Sequence, residues 1–283
     1  MMSGTADGLF TGPGSQPVDD DGAVLSYMEM PSGMATFAIP VLPELDEVAG
    51  LDEGKATLQK VQSLLARFTS DGIENVIDLT GLDAANLRFV DQMLGEGEVS
   101  VVAGEHVQAQ ESVLAGVWRI RTVNGSGRLV RDIIEVASFP TVLLGDAFAG
   151  SADQIAIPAS FGEGVFNAPS LLPEINEHIT AANASGFAHV INLSLLPHTE
   201  LDLELLDRLL GRGPLIVLSR GYGNCRVTNT GTRNVWWARF YNSQDALILN
   251  TIEITAVPEV IRAAAEDIAD SATRLREMLE VYQ

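Results

Sequence analysis

The chain has 283 residues, 46% of them hydrophobic and only 19% charged, which is enough apolar material for a sizeable core and excludes a wholly disordered protein. Seventeen Lys and Arg against 38 Asp and Glu give a net charge of −21, which repels phosphate backbones and anionic lipid and argues against nucleic-acid or membrane-surface binding. A single cysteine forms no intrachain disulfide, and neither a zinc-ligand cluster nor an 18-residue apolar span is present. With no basic and apolar leader at the N-terminus, the expected location is the cytoplasm.

Residues 1–54 hold ten acids and no Lys or Arg, together with Gly12-Pro13-Gly14, Asp19-Asp20-Asp21 and prolines at 17, 31, 40 and 43. This composition predicts an extended acidic arm over 1–37. Met28, Met30 and Met34 are read as packing residues.

The rest of the chain repeats itself. Ala38-Ile39-Pro40 returns as Ala156-Ile157-Pro158, and Val76-Ile77-Asp78-Leu79-Thr80 as Val190-Ile191-Asn192-Leu193-Ser194. Leu94-Gly95-Glu96-Gly97 returns as Leu210-Gly211-Arg212-Gly213, Val117-Trp118 as Val235-Trp236, and Ile134-Glu135 with Pro140 as Ile252-Glu253 with Pro258. The offsets run 118, 114, 116 and 118, a drift that small loop insertions explain. The expected fold is α/β: two tandem pseudo-symmetric αβαβββ repeats with mixed sheets, at 38–155 and 156–283, preceded by the arm.

Within a repeat the order is an amphipathic helix (Lys55 to Phe68 in the first copy), a short apolar strand, then a second helix with Asp83 or Thr199 as its N-cap. Thr199 and Asp202 approximate a capping box, and Gly95 and Gly211 end the two helices. The strands 99–103 and 215–219 follow, and strand–helix–strand predicts a parallel pair with a right-handed crossover. Two further strands close each unit, 112–123 with 129–136 and 233–241 with 246–254, the first pair turning at Asn124-Gly125. A C-terminal helix from about Pro258 is expected to cap the second unit.

One stretch departs from the acidic background: Arg208 to Asn242 contains six arginines and no Asp or Glu. Inside it Ser219 to Arg226 follows a predicted strand, and strand ends are where α/β sheets meet ligands. Gly221 and Gly223 permit close approach, and Arg220 and Arg226 offer bidentate donors to carboxylate or phosphate. The first copy carries Gly104-Glu105-His106 at that place, so only one copy keeps the arginines. Trp236 matches Trp118 and is expected in the core. Trp237 replaces Arg119 and is expected to face outward or into an interface, where an aromatic beside arginines is a typical anchor. The candidate partner-binding residues are therefore Arg220, Tyr222, Asn224, Cys225, Arg226, Arg233 and Trp237. Arg226 beside Cys225 would favour a thiolate, but no base lies near it in sequence, so no catalytic residue is assigned. His189 and His198 are read as core or capping residues. No metal ligand and no cofactor is expected.

On Leu195-Leu196-Pro197-His198-Thr199, Leu206 to Gly211, Ser219 to Arg226, Arg233-Asn234-Val235-Trp236-Trp237 and Asn242-Ser243-Gln244-Asp245, with Gly12 to Pro17 and Met30 to Met34, the sequence resembles the HupH/HyaF family of hydrogenase expression/formation proteins. The resemblance implies a non-enzymatic assembly chaperone for a [NiFe] uptake hydrogenase. It would bind a structural-subunit precursor, the iron–sulfur small subunit favoured, before export and alongside a thioredoxin-like accessory protein. A nickel or iron–sulfur carrier is the alternative.

Overall fold

The computed structural model describes residues 43–44, 47–71, 75–185, 188–220 and 224–282; the expected N-terminal arm and Tyr222 lie outside them. The first half runs α1 (Asp52–Ala66), β1 (Val76–Asp78), α2 (Ala84–Leu94), β2 (Val99–Ala103), β3 (Val107–Glu111), β4 (Val117–Val123), β5 (Leu129–Val136) and α3 (Thr141–Ala147). The second runs α4 (Ala168–Ser185), β6 (His189–Asn192), α5 (Glu200–Leu210), β7 (Leu215–Ser219), β8 (Asn224–Asn229), β9 (Val235–Tyr241) and β10 (Leu247–Ile254), and α6 (Ala265–Glu280) ends the chain.

The ten strands among the described residues form one sheet in the order β1-β5-β4-β3-β2-β7-β8-β9-β10-β6. Every pairing is antiparallel, which corrects the expected mixed sheets and parallel pair. Four antiparallel steps separate β1 from β2, so the two strands do point the same way, as a helical crossover requires, but three others lie between them. Adjacency is decided by the β2–β5 meander, whose returning strand β5 takes the place beside β1. Each half also holds five strands rather than four, because β3 and β8 form where loop was expected.

The strand order reads alike from both ends, and local details recur with it. Trp118 Nε1 donates to Ala137 O at 3.0 Å, and Trp236 Nε1 to Thr255 O at 3.1 Å. Asn124 Oδ1 accepts from the Ser126 and Arg128 N–H groups in one hairpin turn, and Asn242 Oδ1 from Gln244 and Ala246 in the other. Positive φ falls at Gly116 and Asn234 and again at Gly127 and Asp245. Gly95 and Gly211, at φ 56° and 68° with ψ near 180°, occupy a region essentially reserved for glycine.

Helix starts are tied by a shared device. Asn86, three residues beyond the N-cap Asp83, accepts the Gly54 N–H in the first turn of α1 at 2.8 Å. Asp202, three residues beyond the N-cap Thr199, accepts N–H groups of Phe166, Asn167 and Ala168 at the start of α4. Thr199 and Asp202 form both arms of the expected capping box.

Three apolar layers result. The middle one holds Val101, Ala109, Trp118, Ile133, Phe139, Val217, Cys225, Val227 and Trp236. Trp118 and Trp236 stand on strands five places apart, roughly 24 Å in a flat sheet, yet both rings contact Phe139, at 5.7 and 6.5 Å. The sheet therefore curls around this layer. On its other face, α1, α2 and α6 cover the first half and α4 and α5 the second. The C-terminal helix thus starts at Ala265 rather than Pro258, where only a short 3-10 turn forms, and its Ile268, Leu275 and Leu279 join the core of the first half, not the second as expected.

Candidate functional site

Strand alternation divides the arginine stretch between two faces. On β8, Cys225 and Val227 point into the middle layer while Arg226 and Thr228 point to the opposite face. Registers across the sheet align Arg119, Gln110, Ser100, Leu218, Arg226 and Arg239 in one row, and Gln108, Val102, Ile216 and Thr228 in the next. Helices pack on the outer strands, α1 against β1 and β5 and α4 against β10. From Gln108 through Arg239 these side chains are half-buried or exposed, leaving a strip of sheet in the middle of the face.

Arg226 and Arg239 sit side by side in that strip. Among the described residues neither has a carboxylate within ion-pair distance, and the Arg226 Nε is buried with no hydrogen-bond partner. The Arg239 guanidinium lies 4.8 Å over the Trp237 ring. In a chain of net charge −21, two adjacent arginines with no acid among the described residues at ion-pair distance are a locus of positive potential. Arg121, the counterpart of Arg239 on β4, instead lies 3.4 Å from Asp91 and 3.8 Å from Asp132.

The sequence-predicted residues divide accordingly. Arg220 is exposed at the end of β7, its N–H donating to Glu98 O at 3.2 Å. Asn224 is exposed at the start of β8, 3.5 Å from Asp245 Oδ1. Asn224, Cys225 and Arg226 are thus on a strand rather than in a loop. Arg233 ties its own chain together, its Nε donating to Asp153 Oδ1 at 2.7 Å where residue 152 bridges to Thr232.

One expectation is overturned. Trp237 does not face outward: it is 4% exposed, and its Nε1 donates to Asn250 Oδ1 at 2.5 Å. The face it shares with Arg119 is covered by α4 and α5, so the indole fills a core where the first half has an ion pair. Cys225, read chiefly as an inert or contact-making thiol, gains no thiolate character from Arg226. Burial, with the negative charge of Glu253 adding to it, pushes its pKa up to about 12, because Arg226 projects from the other side of the sheet.

A cluster outside this strip escaped the sequence reading. Glu174 and His178 lie one turn apart on α4, and His189 opens β6. Their ligand-type atoms all lie within 4.8 Å of one another. His189 Nε2 is 2.8 Å from Glu174 Oε1, and the two imidazoles stack at 3.4 Å with 6° between their planes. The Glu-x-x-x-His spacing was the available signal; the third member comes from the edge strand. His198 makes a local contact, its Nδ1 lying 2.8 Å from Leu196 O.

Comparison with known proteins matches the HupH hydrogenase expression protein C-terminal conserved region twice, at residues 51–156 and 165–282. The chain is 46% identical over 275 residues to the hydrogenase expression/formation protein HupH of Rhodobacter capsulatus, spanning 96% of each. It is 42% identical to HoxQ of Cupriavidus necator, over 96% of this chain and 95% of that one, and 32% identical to the hydrogenase-1 operon protein HyaF of Escherichia coli, over 95% and 94%. A solved hydrogenase expression protein HupH from Thiobacillus denitrificans, 35% identical, matches 41% of this chain and 96% of its own, with a TM-score of 0.39. With two matched segments and full-length relatives at such identity, the chain belongs to the HupH family of hydrogenase expression/formation proteins.

Proposed function

We propose that this protein is a non-enzymatic accessory factor in hydrogenase maturation, a cytoplasmic chaperone that holds a structural-subunit precursor, the iron–sulfur small subunit favoured, before export. The names of the relatives support the hydrogenase connection. The observation that carries a client-binding role is the Arg226–Arg239 pair, without carboxylate partners among the described residues, in the middle of a half-exposed sheet face. A client segment offering carboxylates or backbone carbonyls would satisfy both guanidinium groups, and Val102, Ile216 and Leu218 beside them offer apolar contact. Arg220 and Asn224 border this strip and belong to the same proposed surface; Cys225, Arg233 and Trp237 support it from within the fold. We infer also that 38–155 and 156–283 are copies of one ancestral unit, a reading supported by the recurrent indole bonds, hairpin turns and helix ties; the first copy has Gln108 where the second has Arg226, and its Arg121 pairs with Asp91, which leaves the arginine strip to the second copy.

Co-purification with small- and large-subunit precursors tests the proposal, with Arg226→Ala and Arg239→Ala compared against the unaltered chain. Loss of an interface anchor weakens binding by ~2 kcal/mol or more, about thirtyfold. The expected result is loss of the small-subunit precursor with an unchanged melting temperature. Precursor retained by both variants, or lost only in proportion to unfolding, refutes this surface.

A further inference from the structure

We propose that Glu174, His178 and His189 form a binding site for a borderline divalent transition-metal ion, Zn2+ or Ni2+. Two imidazoles and one carboxylate are a donor set that suits these ions, whereas Mg2+ and Ca2+ take oxygen ligands. The backbone that presents the three donors is anchored from below. Ile175 and Ile179 of α4 and Ile191 of β6 are buried in one apolar layer, so the outer flank carrying Glu174, His178 and His189 is held in place while the donors themselves remain half-exposed. The spread of up to 4.8 Å between donor atoms exceeds the roughly 3.4 Å expected around a tetrahedral ion with bonds near 2.0–2.1 Å. Side-chain rotation closes that difference. The two rings turn out of their parallel stack, and the Glu174 oxygen exchanges its contact with His189 Nε2 for the ion.

The surroundings favour a cation. Residues 132–207 contain eleven acids and no Lys or Arg, so no competing ammonium or guanidinium from that stretch reaches the cluster. Three protein donors on a half-exposed edge leave at least one position for water, the arrangement of an exchangeable rather than a structural ion. The site lies on α4 and the edge strand β6, whereas the arginine strip occupies the middle of the sheet, so the inference stands independently of client binding.

The test uses the full chain without a histidine tag, stripped by chelator and dialysed separately against ZnCl2 and NiCl2, with bound metal counted per chain. The expected result is one ion per chain at about 100 µM free metal. Altering even an outer-shell partner costs ~10–100-fold in metal affinity, so His178→Gln and His189→Gln, each removing a direct ligand, are expected to lose at least tenfold. His106→Gln and His198→Gln are expected to bind as the unaltered chain does. Should the variant at His189 fail to fold, His178→Gln on the half-exposed helix flank decides the matter, its fold checked by circular dichroism. A bound ratio near zero for both metals, or undiminished binding by the folded His178→Gln variant, overturns the proposal.

Discussion

Replacing Asp202 by asparagine isolates one carboxylate charge that two helices share. Its Oδ1 accepts the N–H groups of Phe166, Asn167 and Ala168 at 2.9, 3.0 and 3.0 Å, and its Oδ2 accepts that of Thr199 at 2.9 Å. Burial opposes ionisation of this fully enclosed group, but the four backbone donors outweigh it and hold the carboxyl at about 2, below its ordinary 3.8. Such a depression corresponds to about 2 kcal/mol of native stability near neutral pH. Because the folded pKa is the lower one, the contribution is complete above roughly pH 5, falls to about half at pH 3 and vanishes below pH 2. An asparagine side chain in its place would keep an acceptor for three of the N–H groups but turn its amide NH2 toward the Thr199 N–H, adding a donor–donor conflict. For a body of this size each kcal/mol moves the melting temperature by about 2–4 °C, so Asp202→Asn is expected to melt about 5–10 °C lower at pH 7. Thermal unfolding followed by circular dichroism at pH 7, 5 and 3 reads both the gap and its narrowing. A variant melting within about 1 °C of the unaltered chain at pH 7, or a gap equally wide at pH 3, would refute the reasoning.

Two further outcomes follow from buried groups. Burial, reinforced by the charges of Glu98 and Asp267 and only partly offset by the Gly116 N–H, pushes Glu111 up to about 7 from an ordinary 4.5. Its folded pKa being the raised one, the protein loses up to about 3 kcal/mol as pH rises from 4.5 through 7, so Glu111→Gln is expected to raise the melting temperature at pH 8 and leave it unchanged at pH 4; equal shifts at both would count against it. Cys225, with its thiol pushed up to about 12 from 9.0, is expected to react with a disulfide reagent at pH 8 on the order of a thousandfold more slowly in the native chain than in urea. Native labelling at the unfolded rate would contradict its placement in the middle layer.

The Trp118 and Trp236 core positions, the Asp83 and Thr199 caps, the glycine stops and the strands nearest them were legible because each depends on residues close in sequence or on a recurrent pattern. Single-chain periodicity also separated Cys225 from Arg226 by strand face once β8 was known to be a strand, but it carried no sign of β8 itself, whose Asn-Cys-Arg-Val-Thr-Asn run gains its regularity from hydrogen bonds to β7 and β9. Pairing partners, and with them the antiparallel order, join strands far apart in sequence, such as β1 with β5 and β6 with β10, a matter of tertiary closure. The same holds for α6, whose apolar stripe fits either half by sequence and is fixed on α1 only by packing. Trp237 and the histidine cluster show the limit most clearly. Whether an aromatic faces solvent or core depends on which helices cover its strand, and whether His189 meets Glu174 and His178 depends on an edge strand lying beside α4, distances that arise only when the sheet and its helices are assembled.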